Sequence, residues 1–175
     1  MKIPIIEKLY YSPVKSLSFI NSKNLIVKRN IGIKNDRIFA FTRLIKKDES
    51  VIYEKCPKER DLRFFLTLRN SPFLNKYNFE FIHNELSLFL KKKLISKIVL
   101  DNNENFIIFS NELMSREKLI TKTPYLIHNE HYPFFDTMPY NSISLININS
   151  IKDFEKKINR KIEFERFRAN IYIKN

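Results

Sequence analysis

Glycine is almost missing from this chain, with Gly32 the single one in 175 residues. That excludes any site built on a glycine-rich phosphate loop, and no G-x-S-x-G elbow, CxxC or HExxH pattern is present. Tryptophan is absent and cysteine occurs once, as Cys56, so no intramolecular disulfide can form. A lone thiol suits a reducing compartment. No run of about 18 apolar residues exists to span a bilayer. The N-terminal stretch is broken by Glu7, Lys8 and Pro13, unlike the apolar region of a signal peptide, so a cytoplasmic location is the expectation. Acidic residues are scarce, at 19 against 32 Lys and Arg, for a formal charge of +13.

What remains is ample for folding. Hydrophobic residues make up 43% and aromatics 14%, which excludes disordered and low-complexity classes, and the length fits one domain or a small one plus part of a second. Ile, Asn, Lys, Phe and Tyr are abundant in the way an AT-rich coding sequence imposes, so much of the charge reads as solvated surface. The remaining positive field would attract phosphates, anionic cofactors, nucleic acid or acidic membrane surfaces.

Strand chemistry dominates the first part, over Ile3 to Tyr11, Leu25 to Lys28 and Arg37 to Phe41. Gly32 marks a tight connection with a positive φ or a close backbone approach. Asp61 to Arg69 reads as a strand with Phe64, Leu66 and Leu68 on one face, and Tyr77 to Ile82 as its neighbour. A helix capped by Asn84 is expected through Leu86, Phe89, Leu90 and Leu94, with Lys91, Lys92 and Lys93 near its end. The polar run Asp101 to Asn105 is the best domain boundary. From Asn111 to Tyr132 an irregular or partly helical connection is expected. A strand over Ile143 to Ile146, a helix capped by Ser150 with Ile151, Phe154 and Ile158 on one stripe, and a last strand over Ala169 to Ile173 follow. The expected class is α+β, mostly β.

Two isolated features have bland readings. His128 and His131 are three apart but lack a third ligand and are flanked by Pro133, which argues against a metal site. Cys56 sits among lysines that would lower its pKa, yet a passive thiol in a basic loop is the simpler reading. Three basic islands carry more: Pro13-Val14-Lys15-Ser16, Asn35-Asp36-Arg37 and Arg166-Phe167-Arg168-Ala169-Asn170. Each abuts an expected strand end. Taken alone they are ordinary strand-end charges; brought together they form a convergent donor set for a multi-oxygen anion.

Their order resembles the MOSC (molybdenum cofactor sulfurase C-terminal) family with its associated N-terminal β-barrel domain. Tyr11-Ser12-Pro13-Val14-Lys15-Ser16 is similar to that family's Tyr-Pro-Val-Lys-Ser. Gly32-Ile33-Lys34-Asn35-Asp36-Arg37 is similar to its Gly-Leu-x-x-Asp-Arg. Asp136-Thr137-Met138-Pro139, then Ser144, a helix and Phe167-Arg168-Ala169-Asn170, follow the later part of its pattern. The resemblance covers about residues 5 to 43 and 134 to 173. It implies a barrel-like domain over 1–100, the first part of a MOSC β-barrel core over 101–175, and a molybdenum cofactor between them. Lys15, Arg37 and Arg168 would then be charge partners of the anionic pterin, with Ser16, Thr137 and Asn170 as hydrogen-bond donors. Asp36 and Asp136 would orient neighbouring groups and not touch the anion. Activity would be that of an oxidoreductase acting on N-hydroxylated compounds with a redox partner protein, or of a sulfur carrier.

Ala169 stands where the family has proline, and Met138 where a small hydroxylated residue is common. The family continues to a metal-ligating cysteine, to which Cys56 does not correspond. No catalytic or metal-ligating residue is therefore assigned, the chain reads as C-terminally truncated and inactive by itself, and its final strand is expected to form an exposed edge. The alternatives are a basic β-rich module that binds nucleic acid and an inactive structural remnant.

Overall fold

The computed structural model describes residues 3–100, 103–135 and 142–175. Within them the chain is α+β, with more strand than helix: three α-helices and eleven strands. The strands are β1 (Ile5–Tyr11), β2 (Ile20–Ser22), β3 (Val27–Lys28), β4 (Gly32–Ile33), β5 (Phe39–Phe41), β6 (Tyr77–Ile82), β7 (Glu85–Leu90), β8 (Lys93–Val99), β9 (Leu126–His128), β10 (Leu145–Asn147) and β11 (Ile171–Lys174). The helices are α1 (Lys47–Lys55), α2 (Ile107–Arg116) and α3 (Ile148–Ile158). No helix among the described residues is long and apolar enough to cross a membrane.

A four-stranded sheet runs β10-β11-β1-β2, a three-stranded one β6-β7-β8, and two pairs are β3-β4 and β5-β9; none of these closes into a barrel. The first sheet joins the two ends of the chain, with Ile6 opposite Ile173 and Leu9 opposite Ile171 in an antiparallel ladder. On its other side β11 pairs in parallel with β10. The last strand is therefore interior, not the exposed edge the sequence suggested, because β10 and β1 occupy its two sides. Gly32 takes φ 93°, and its missing Cβ permits the buried turn into β4.

The middle of the chain departs from expectation. Residues 85 to 99 form two strands and not a helix. Leu86 and Leu88 are buried while Glu85 and Ser87 are less so, a period of two that overrides the sparser helical stripe. Asn84 is no helix cap. With His83 it forms a two-residue turn at φ 48° and 66°, and Lys91 and Lys92 form the next at 47° and 70°, the paired left-handed geometry that suits the twist of a hairpin. Asp61 to Arg69 is also no strand. Asp61 accepts the Arg63 backbone N–H and turns the chain into a 3-10 helix over Leu62–Phe64, after which only Phe65 bridges to Thr42.

The expected connection from Asn111 onward is the second half of α2 followed by a turn and β9, paired with β5. Helix α3 starts earlier than expected, capped by Asn147 and not Ser150: the Asn147 side chain accepts the Asn149 N–H at 2.9 Å. Of its stripe only Ile151 is buried. The main core lies where β5 and one face of the β6-β7-β8 sheet meet α2, with Phe39, Phe41, Phe79, Leu88, Phe109 and Leu113 all closed to solvent. A smaller core of Tyr10, Ile151, Ala169 and Tyr172 sits between the end-joining sheet and α3.

Candidate functional site: an arginine-lined cleft

The turn after β1, the loop before β5 and the turn into β11 meet around one buried carboxylate. Asp36 accepts the Ser12 N–H at 2.7 Å and the Asn170 amide at 3.3 Å, and pairs with the Arg37 guanidinium. It is 1% exposed, and burial pushes its carboxyl upward against the opposing pull of Arg37. Asp36 thus orients a backbone group, an arginine and an amide.

Arg168 reaches the same node from the opposite end of the chain. Its guanidinium donates to Ser12 Oγ at 3.3 Å and to the Ser18 carbonyl, and lies 5.1 Å from the Phe19 ring centre. Burial, with Arg37 nearby, depresses its pKa to about 10, so it stays cationic at neutral pH while its charge is only partly compensated. Ser16, Arg37 and Arg168 all have left-handed backbones, with φ of 63°, 56° and 52°. Non-glycine residues rarely adopt this conformation, and it tends to gather at functional sites, where the surrounding fold enforces it.

The six residues expected to hold a cofactor divide as follows. Ser16 and Arg168 line a cleft of about 750 Å³. Arg37 is not among the lining residues: it is paired to Asp36 and lies 5.1 Å from the Phe135 ring centre. Lys15 is buried and its Nζ donates to the Phe134 carbonyl at 3.0 Å. Asn170 is buried as a tie between strands: it accepts from Ser144 Oγ at 3.0 Å and donates to the Tyr10 carbonyl at 3.2 Å. Thr137 lies outside the described residues.

Three arginines that sequence reasoning passed over complete the cleft. Arg43, Arg63 and Arg69 line it with Arg168, Thr67 and Asn70, and among the described residues no Asp or Glu is in the lining. Arg63 is partly neutralised by Asp61, which its Nε meets at 2.9 Å. Arg43 is positioned by its backbone N–H, which donates to the Phe64 carbonyl at 2.8 Å and docks the 62–70 loop against the end of β5. The signal for this loop lies in two local turns, Asp61 to Arg63 and Thr67 to Asn70, where side chains accept backbone N–H groups at 2.9 and 3.0 Å. Such turns at once contradict a strand and bring Arg63 and Arg69 to one side.

No family model, curated protein or solved structure matches this chain. The chemistry of the cleft therefore rests on its geometry. Four arginines, one of them paired with Asp61, with the Ser16 and Thr67 hydroxyls beside them, suit a polyanion with planar or tetrahedral oxygen groups. Cys56 is exposed and outside the lining. His128 stacks on Phe39 with ring centres 4.5 Å apart, and His131 is exposed.

Proposed function

We propose that this chain binds the molybdenum cofactor in the manner of a MOSC-type protein, with the phosphate of the pterin seated in the arginine-lined cleft. The observation that supports the reading is that Ser16 and Arg168, from two of the MOSC-like islands some 150 residues apart, line one cleft with three further arginines. A barrel-like N-terminal unit over 1–100 and a partial MOSC core over 101–175 belong to the same reading. The donor set fits the anionic end of the group, and the lining offers no thiolate to its metal. When bound, the cofactor supplies oxygen- or sulfur-atom transfer; this chain's part is to neutralise, orient and hold. Turnover with a redox partner, as in oxidoreductases or sulfur carriers, is not assigned to these residues.

The test is calorimetric titration of the purified chain with inorganic phosphate and with the pterin cofactor released from a molybdenum enzyme. Arg43→Gln and Arg69→Gln should each weaken both ligands about tenfold, the scale of one charged hydrogen bond. Lys92→Gln, on a hairpin turn outside the cleft lining, should change neither. Phosphate affinity unmoved by both arginine substitutions would refute the cleft assignment. Displacement by an oligonucleotide with a salt slope of several phosphates would favour nucleic acid as the ligand.

A further inference from the structure

We propose that a second cavity, formed by α1, the start of α2 and β9, binds a small amine with an apolar body. The cavity holds about 470 Å³, inside the range of roughly 300–1,000 Å³ typical of ligand pockets. Its walls are mainly apolar, with Val51 from α1, Ile107 from α2 and Ile127 from β9. Two polar groups in that lining bear on what would enter.

The first is Ser110. It is 1% exposed, and among the described residues its Oγ has no hydrogen-bond partner. A serine within a helix commonly bonds back to the carbonyl one turn earlier, which Ser110 does not do. A buried hydroxyl without a partner is costly, and a ligand's polar group in the cavity would satisfy it.

The second is Glu54. The backbone N–H of His128 donates to its Oε1 at 3.0 Å, which orients the carboxylate without neutralising it. Lys47 also borders the cavity, but it is exposed, and a cation on a flexible stem in water exerts little hold. The half-buried, oriented charge is the stronger determinant, and it is negative on a chain of net charge +13. An amine is therefore favoured here, in contrast to the anion of the arginine cleft.

The probes are 2-phenylethylamine, 2-phenylethanol and phenylacetate, which share a body and differ in charge. Ligand-observed NMR titration of the full chain should rank the amine about tenfold above the alcohol, with the acid weakest. Glu54→Gln, which keeps an acceptor for the His128 N–H, should erase the gap between amine and alcohol. Ser110→Ala should weaken all binding yet leave the unliganded protein melting no lower than the parent. Phosphate should not compete, which keeps this result independent of the cleft. The proposal is overturned if phenylacetate binds best, if neither substitution alters binding, if no probe saturates, or if unliganded Ser110→Ala melts several degrees lower.

Discussion

Asn170 is the residue whose loss the structure prices most directly. Its amide donates to the Tyr10 carbonyl at 3.2 Å and to Asp36 at 3.3 Å, and its oxygen accepts the Ser144 N–H at 3.2 Å and Oγ at 3.0 Å. In Asn170→Ala, Ser144 is exposed and rehydrates, so its share is small. The buried Tyr10 and Asp36 acceptors each lose a donor, worth about 1 kcal/mol for the neutral bond and about 2 for the charged one. A loss of about 3 kcal/mol in urea unfolding followed by circular dichroism is expected. Asn170→Asp is closer in shape but sets a second carboxylate beside Asp36. The two would share a proton, so the folded pair titrates above the unfolded carboxyls. Stability of this variant is then greatest below about pH 4 and falls as pH rises toward neutrality. At pH 7 it should be less stable than Asn170→Ala. A cost for Asn170→Ala under about 0.5 kcal/mol, or an aspartate variant that outlasts the alanine one at neutral pH, would refute the reasoning.

Two further outcomes follow from backbone geometry and burial. Lys92 holds φ 70° at the tip of the β7-β8 hairpin, so Lys92→Gly should raise stability by about 1 kcal/mol in thermal or urea unfolding. Burial holds the His128 imidazole below its usual pKa of 6.5, against the weaker pull of Glu130, so the unfolded chain takes up that proton first. Stability should therefore fall as pH drops through about 6.5, and His128→Phe, which keeps a ring on Phe39, should flatten that part of the profile in pH-dependent melting.

Much of the strand pattern was legible where apolar residues alternate or cluster between turn signals. β1, β6 and β11 lie within two residues of their expected bounds. The errors fell where a short window fitted two periods. Leu86, Phe89, Leu90 and Leu94 satisfy a helix, while Leu86 and Leu88 satisfy a strand, and only the core against Phe79 and Phe109 decides for the strand. Asn84 shows the same ambiguity, since asparagine suits both a helix cap and a left-handed turn. Of the site, the islands around Ser16 and Arg168 could be read from sequence, but Arg43, Arg63 and Arg69 could not, because their convergence depends on how the 62–70 loop docks on the end of β5.

The end-joining sheet has a consequence for biosynthesis. Ile6 pairs with Ile173, so β1 can pair with its near neighbour β2 early but waits for a partner far along the chain before its ladder with β11 can form. Ser12, Asp36 and Arg168 belong to that same junction, which leaves the arginine cleft unfinished until the segment carrying Arg168 has been made. The β6-β7-β8 hairpins, whose partners are near in sequence, can form well before release. Assembly of the candidate site thus follows that of the hairpins, and ligand capture becomes a report that β1 and β11 have met.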